Sequence, residues 1–182
     1  MAMAVSAVFS ALFFPGLPAQ AQAPEYQVKA AILYKIALFV DWPKKAFQTG
    51  TSPFAVCVLG EDPFGSWLHH EIGTMSVGSH PVQIVHPDGA DAARKCNVIF
   101  ISRSEQPRLS QTLAVLRNSE ALIVSDIRAA GEFCRQGGMI ALVLEDHKVR
   151  FELNSAAAQQ AGLKIDSRLK RVAKSVTCGE AP

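Results

Sequence analysis

Apolar and polar positions divide the chain into short segments of two kinds. Residues 54–60, 97–101 and 121–124 are nearly unbroken apolar runs, the pattern of strands buried on both faces. Residues 81–85 are a further strand candidate. Between these runs lie stretches at helical spacing. Residues 26–39 contain no Gly or Pro and predict the first helix. It is apolar nearly all round, with Lys29 and Lys35 as charged exceptions, so burial on more than one side is expected. Asp41-Trp42-Pro43 ends it, because Pro43 disfavours helical backbone at Trp42. Asp62 as N-cap and Pro63 at the first helical position predict a helix running to about Ile72. Residues 91–95 predict a short helical turn, and residues 104–116 place Leu109, Leu113 and Leu116 on one helix face.

The last third reads differently. Apolar residues 139–144 and 148–153 flank the polar link Glu145-Asp146-His147, which implies an antiparallel hairpin. Val149, Phe151 and Leu153 alternate with Lys148, Arg150 and Glu152, so one face of the second strand is wet. Helical stretches follow at 155–161 and 167–176. The expected fold is a single-domain α/β structure. Its sheet is mixed and mostly parallel, flanked by helices, with a C-terminal antiparallel β-hairpin.

The start of the chain does not belong to that pattern. Residues 2–14 are apolar apart from Ser6 and Ser10, and Pro15-Gly16-Leu17-Pro18 and Ala19-Gln20-Ala21-Gln22-Ala23 follow. A spanning helix needs about 20 apolar residues, and this run is shorter. It matches a signal-peptide core followed by a small-x-small cleavage site, after Ala21 or Ala23. No Lys or Arg precedes Glu25, which departs from the usual basic start. The rival reading, a buried N-terminal helix, is poorly served by the Pro-Gly-x-Pro break. The predicted division is a signal peptide over residues 1–23 and an α/β domain over 24–182, exported to the periplasm. The longest later apolar run, residues 30–40, is interrupted by Lys35, so the mature chain is expected to be soluble.

Composition narrows the functions. At 182 residues, 49% hydrophobic and 19% charged, the chain can bury a real core. Eighteen Lys and Arg against 16 Asp and Glu, interspersed, form no basic stripe, so no nucleic-acid partner is expected. Cys57, Cys96, Cys134 and Cys178 all lie beyond the predicted cleavage site, and an even number in an exported chain points to disulfides. Four cysteines allow three full pairings, and their spacing does not choose among them. Cys57 lies in a strand run, where plain burial is an alternative. No close Cys-x-x-Cys favours a zinc knuckle or a thioredoxin-type site.

Catalytic constellations are missing from the sequence. Gly60-Glu61-Asp62-Pro63-Phe64-Gly65 stands where a dinucleotide-binding domain cradles phosphate, but Glu61 and Asp62 repel an anion. Gly137-Gly138 reads as a bulge or a sharp entry into a strand, ahead of a close backbone approach to a ligand. His69, His70, His80, His86 and His147 form no metal motif, and His147 falls in a solvated turn. There is no Gly-x-Ser-x-Gly; Ser102 and Ser125, the latter beside Asp126, follow strands, as ordinary turn residues do. Phe39 and Trp42 at the exit of the first helix read as core closure ahead of a partner anchor. No catalytic, cofactor-binding or metal residue is assigned, and the expected protein is not an enzyme and uses no cofactor. A crevice at the strand C-termini, lined by Ser102, Asp126 and Glu61, defines the alternative of a periplasmic small-molecule sensor serving another membrane signalling system.

One stretch carries a family resemblance. Val28-Lys29-Ala30-Ala31-Ile32-Leu33-Tyr34-Lys35-Ile36-Ala37-Leu38-Phe39-Val40-Asp41-Trp42-Pro43 closely resembles the opening helix of YfiR-like proteins. Further landmarks follow in family order: Val58-Leu59-Gly60-Glu61-Asp62-Pro63-Phe64-Gly65, Cys96-Asn97-Val98-Ile99-Phe100-Ile101-Ser102, Gly137-Gly138-Met139-Ile140, Val149-Arg150-Phe151-Glu152-Leu153-Asn154, and Ala161-Gly162-Leu163-Lys164-Ile165 with Ser167-Arg168-Leu169-Lys170. The opening motif is specific; the later pieces gain weight from their order. The resemblance implies a periplasmic, often dimeric regulator. It implies repression of an inner-membrane diguanylate cyclase through that enzyme's periplasmic domain, lowering cyclic-di-GMP and biofilm formation. A peptidoglycan-associated outer-membrane lipoprotein is the second implied partner. The resemblance also implies a Cys57–Cys96 disulfide. A second family bridge would use Cys134, but Ala141 stands at the expected partner position. That leaves Cys134 paired with Cys178, paired between chains, or free, and it designates no partner-binding residue.

Overall fold

The computed structural model describes residues 22–47 and 49–176. The predicted signal peptide, except Gln22 and Ala23, lies outside the described residues, as does Cys178. The elements in chain order are α1 (Gln22–Leu38), β1 (Val40–Asp41), β2 (Phe54–Leu59), α2 (Ser66–Ile72), β3 (Ser76–Val77), β4 (His80–Val85), α3 (Ala90–Ala93), β5 (Val98–Ile101), α4 (Leu109–Leu116), β6 (Leu122–Ser125), α5 (Ala130–Arg135), β7 (Ile140–Glu145), β8 (Lys148–Leu153), α6 (Ser155–Gln160), β9 (Lys164–Ile165) and α7 (Ser167–Val172). Short 3-10 segments cover Lys44–Ala46 and Arg103–Arg108.

Seven strands form one sheet in the order β3-β4-β2-β5-β6-β7-β8, and β1 pairs with β9 in a separate antiparallel ribbon. The five inner strands are parallel, while β3 and β8 add antiparallel edges. The expected mostly parallel α/β fold with a C-terminal hairpin is the one observed. Every residue of β5 and β6 is buried, so both sheet faces are covered, as their unbroken apolar runs require. The chain runs from β2 to β4 on one side and then crosses to β5 on the other. The direction of winding therefore reverses between β2 and β5, which leaves a crevice at their carboxyl ends.

Helix α1 shows why pattern alone misjudged its burial. Tyr26, Lys29, Ala30, Leu33, Ile36 and Ala37 are buried, at the three- and four-residue steps of a single helix face. Its other apolar residues are not all covered: Val28 and Leu38 are about half exposed. The helix is buried along one face, where burial on more than one side was expected.

Two further departures have local causes. The helix expected at Asp62 begins at Ser66, because the Asp62 carboxylate accepts from the Phe64 amide (2.8 Å) and closes a turn of its own. The helix expected over 104–116 starts as a 3-10 segment containing Pro107, and α4 proper begins at Leu109. At Gly138 an added Cβ would lie 2.4 Å from the Phe133 ring, so the Gly137-Gly138 pair lets α5 pack onto the entry to β7. Asp146 and His147 form the two-residue hairpin turn with φ of 47° and 60°, and His147 is exposed as expected. Beyond α7 the chain runs parallel to β8, where the Leu153 amide donates to Ser175 (2.9 Å) and covers an otherwise bare edge.

Candidate functional site at the carboxyl edge of the sheet

Strand β2 and the segment leading into β5 are joined by a disulfide between Cys57 and Cys96, both buried, with Cα atoms 6.0 Å apart. Cys134 on α5 is buried and disulfide-bonded as well, so it is not a free thiol. This staple sits below the carboxyl edge, where two polar groupings lie side by side.

The first is a buried ion network. Asp126 follows β6 directly, and its Oδ2 accepts from Lys29 Nζ (2.6 Å) and from the Tyr26 hydroxyl (2.7 Å). Lys29 also pairs with Glu25 one turn earlier on α1. Arg103 closes the group: its Nε donates to the Asp126 carbonyl (3.1 Å) and lies 3.3 Å from the Asp126 carboxylate, and its Nη2 lies 3.4 Å from Glu25. The Lys29 and Asp126 side chains have no exposure to solvent. Burial, reinforced by the hydrogen bond to Asp126, pushes the Tyr26 phenol well above its ordinary range. Two acids against two bases leave the group near neutrality, and Asp126 Oδ1 is buried with no hydrogen-bond partner among the described residues. The arrangement pins α1 across the ends of β5 and β6.

The second grouping lines the crevice at the winding reversal, about 370 Å³ in volume. Glu105, only 3% exposed, receives Arg108 through Nε (2.8 Å) and Nη2 (2.7 Å), and Thr112 Oγ1 lies 3.4 Å away. The Arg108 hydrogen bond holds the Glu105 carboxyl below its ordinary range. Gly60, with φ +91°, lines the crevice beside Glu105. A Cβ there would meet Ser104 Oγ at 2.4 Å and Ser102 Oγ at 2.7 Å, so glycine permits the 3-10 segment to approach β2. That one segment, Arg103–Arg108, carries Arg103 into the ion network and Glu105 into the crevice.

The residues expected to line a crevice are thus split. Ser102 is buried, its hydroxyl 2.7 Å from that of Ser104, and Asp126 lies inside the ion network. Glu61 is exposed and is tied to the site by its backbone amide, which donates to Ser104 Oγ (2.9 Å). The Ser125 hydroxyl donates to the Ile101 carbonyl (2.7 Å) and accepts from the Ile127 amide, which makes it a structural group. Trp42 packs edge-on against Phe54 with ring centres 5.0 Å apart and donates to the Ala37 carbonyl, closing the core. Phe39 lies under the Arg168 guanidinium. Among the described residues, no group of three or more His, Cys, Asp or Glu is placed to hold a metal.

Sequence reading missed Tyr26, Lys29 and Arg103 as a unit, and Glu105 with Arg108. One signal was available: Lys29 is in phase with Tyr26, Leu33 and Ile36, so a charge on the buried face demanded a buried acid.

A further concavity of about 530 Å³ lies between α1 and the β7–β8 hairpin. Val28 and Leu144, 47% and 51% exposed, face it with Val149, and His147, Lys148 and Arg150 rim it.

These features define a doubly wound α/β domain with a disulfide staple beneath its carboxyl edge. The chain belongs to the YfiR/HmsC-like family, whose model matches residues 26–174. That family is regulatory, non-catalytic and periplasmic. The disulfide fits an exported protein, and among the described residues no helix is long and apolar enough to cross a membrane. A crystal structure of a conserved domain protein from Vibrio cholerae O1 biovar eltor shares the fold, with a TM-score of 0.57 and 10% identity over 84% of this chain. This chain spans 60% of that protein's length. A weaker likeness is to the ABC domain in complex with L-Trp from Streptococcus pneumonia: TM-score 0.49, 12% identity, covering 72% of this chain and 57% of that one.

Proposed function

We propose that the protein acts in the periplasm without catalysing a reaction. In this reading it binds the periplasmic sensor domain of an inner-membrane diguanylate cyclase and represses that enzyme, lowering cyclic-di-GMP. Family membership over residues 26–174 carries the reading. Repression by binding requires higher affinity for the inactive state of the cyclase than for the active one. A peptidoglycan-associated outer-membrane lipoprotein would relieve repression by competing for the protein, which acts as a homodimer.

The surface that best suits the cyclase domain is the groove between α1 and the hairpin. Val28, Leu144 and Val149 supply apolar contact, and the basic rim of Lys148 and Arg150 favours an acidic partner edge. The test is calorimetric titration of the mature chain into the purified periplasmic domains of the cell's membrane diguanylate cyclases. One domain should bind saturably, and Val28→Asp should weaken binding about tenfold or more with the fold intact, a loss of over about 1.4 kcal/mol. Saturable binding that Val28→Asp leaves unchanged would remove the groove from the account.

A further inference from the structure

The crevice at the winding reversal has properties that partner binding does not use. Its charged lining consists of Glu105 and Asp88 against the single guanidinium of Arg108. Glu105 is buried at its floor, while two thirds of the Arg108 side chain stands in solvent (66%). The buried carboxylate must keep a cation, because an unpaired buried charge is costly. The cation it keeps is a long side chain reaching back from the mouth, three residues along the same segment. Leu59, Pro87 and Val115 add apolar wall beside it.

We propose that this crevice binds a small organic cation, a primary amine or guanidine on a short alkyl chain, which takes Glu105 in place of Arg108. The incoming head group reproduces the charge-assisted hydrogen bonds that Arg108 makes. Its alkyl part covers the apolar wall, which Arg108, entering from solvent, leaves open. Anions are rejected by Glu105 and Asp88. Arg108 is then an internal competitor: apparent affinity is reduced by the fraction of molecules in which it occupies the carboxylate. Arg108 and Glu105 thereby set both the charge selectivity and the strength of the site. The inference stands independently of which protein the groove on α1 engages.

The distinctive consequence is that removing Arg108 tightens binding. Agmatine titrated into the mature chain, followed by amide shifts in NMR and by calorimetry, should bind saturably with shifts centred on Gly60, Glu105 and Thr112. Butanoate should not bind. Arg108→Ala should bind agmatine about tenfold or more tightly than the native chain. Glu105→Gln should lose binding, and Val115→Trp, which leaves Glu105 in place and fills the crevice, should weaken it if Gln at 105 proves poorly folded. Absence of saturable binding in both the native chain and Arg108→Ala would overturn the proposal, as would an Arg108→Ala affinity equal to or below the native value.

Discussion

Lys29 Nζ lies 2.6 Å from Asp126 Oδ2, 97 residues away in sequence, and neither side chain is exposed. A pair buried this completely stabilises little by itself, because desolvation offsets the attraction. What it does is make α1 inseparable from the ends of β5 and β6. Breaking one half leaves the other charged in the interior.

Lys29→Met should therefore destabilise the fold by about 3–5 kcal/mol. Combining it with Asp126→Leu should recover most of that loss, because no unpaired charge remains. Urea denaturation of the two variants checks both statements. A single variant as stable as the native chain would mean that the pair is not formed.

Reduction of the disulfide between Cys57 and Cys96 should lower stability by about 2–4 kcal/mol, by freeing the loop between β2 and β5 in the unfolded chain. Thermal unfolding of the native chain and of a Cys57→Ala/Cys96→Ala variant measures it. A variant that melts with the native protein would contradict the staple's role.

Much of this architecture was legible in the chain, for a physical reason. Strands β2, β5 and β6 are buried on both faces, so their sequences could only be continuous apolar runs. The hairpin was equally open, since its outer strand alternates with a wet face. Elements of two residues, β1, β3 and β9, are too short to show a period, and α5 is a six-residue helix containing Gly131, a poor helix former. The site was harder to see. Glu25 and Lys29 are local, but Arg103 and Asp126 join them through the fold of the sheet, and no spacing encodes that meeting. The acid on Lys29 was predictable in kind; its identity was not.

Asp166 gives a pH-dependent contact at the start of α7. Its carboxylate accepts from the Arg168 guanidinium (2.8 Å) and the Arg168 amide (2.7 Å), which hold its pKa down from 3.8 to about 2. A depressed carboxyl contributes stability that is complete above its unfolded value and lost as pH falls through the folded one. The α7 cap should thus persist through pH 3.8 and fail near pH 2. Side-chain carboxyl NMR should place the Asp166 midpoint at about 2, moving up toward 3.8 in Arg168→Ala. An unshifted midpoint in the native chain would deny the contact in solution.

The central claim is regulatory action from the periplasm, and cellular cyclic-di-GMP tests it most directly. It should be measured after deletion of the gene, after restoration with the full chain, and after restoration with residues 1–23 removed. The account predicts a rise on deletion that the full chain reverses and the shortened chain does not. A nucleotide level unchanged by deletion, or restored equally by both chains, would contradict it.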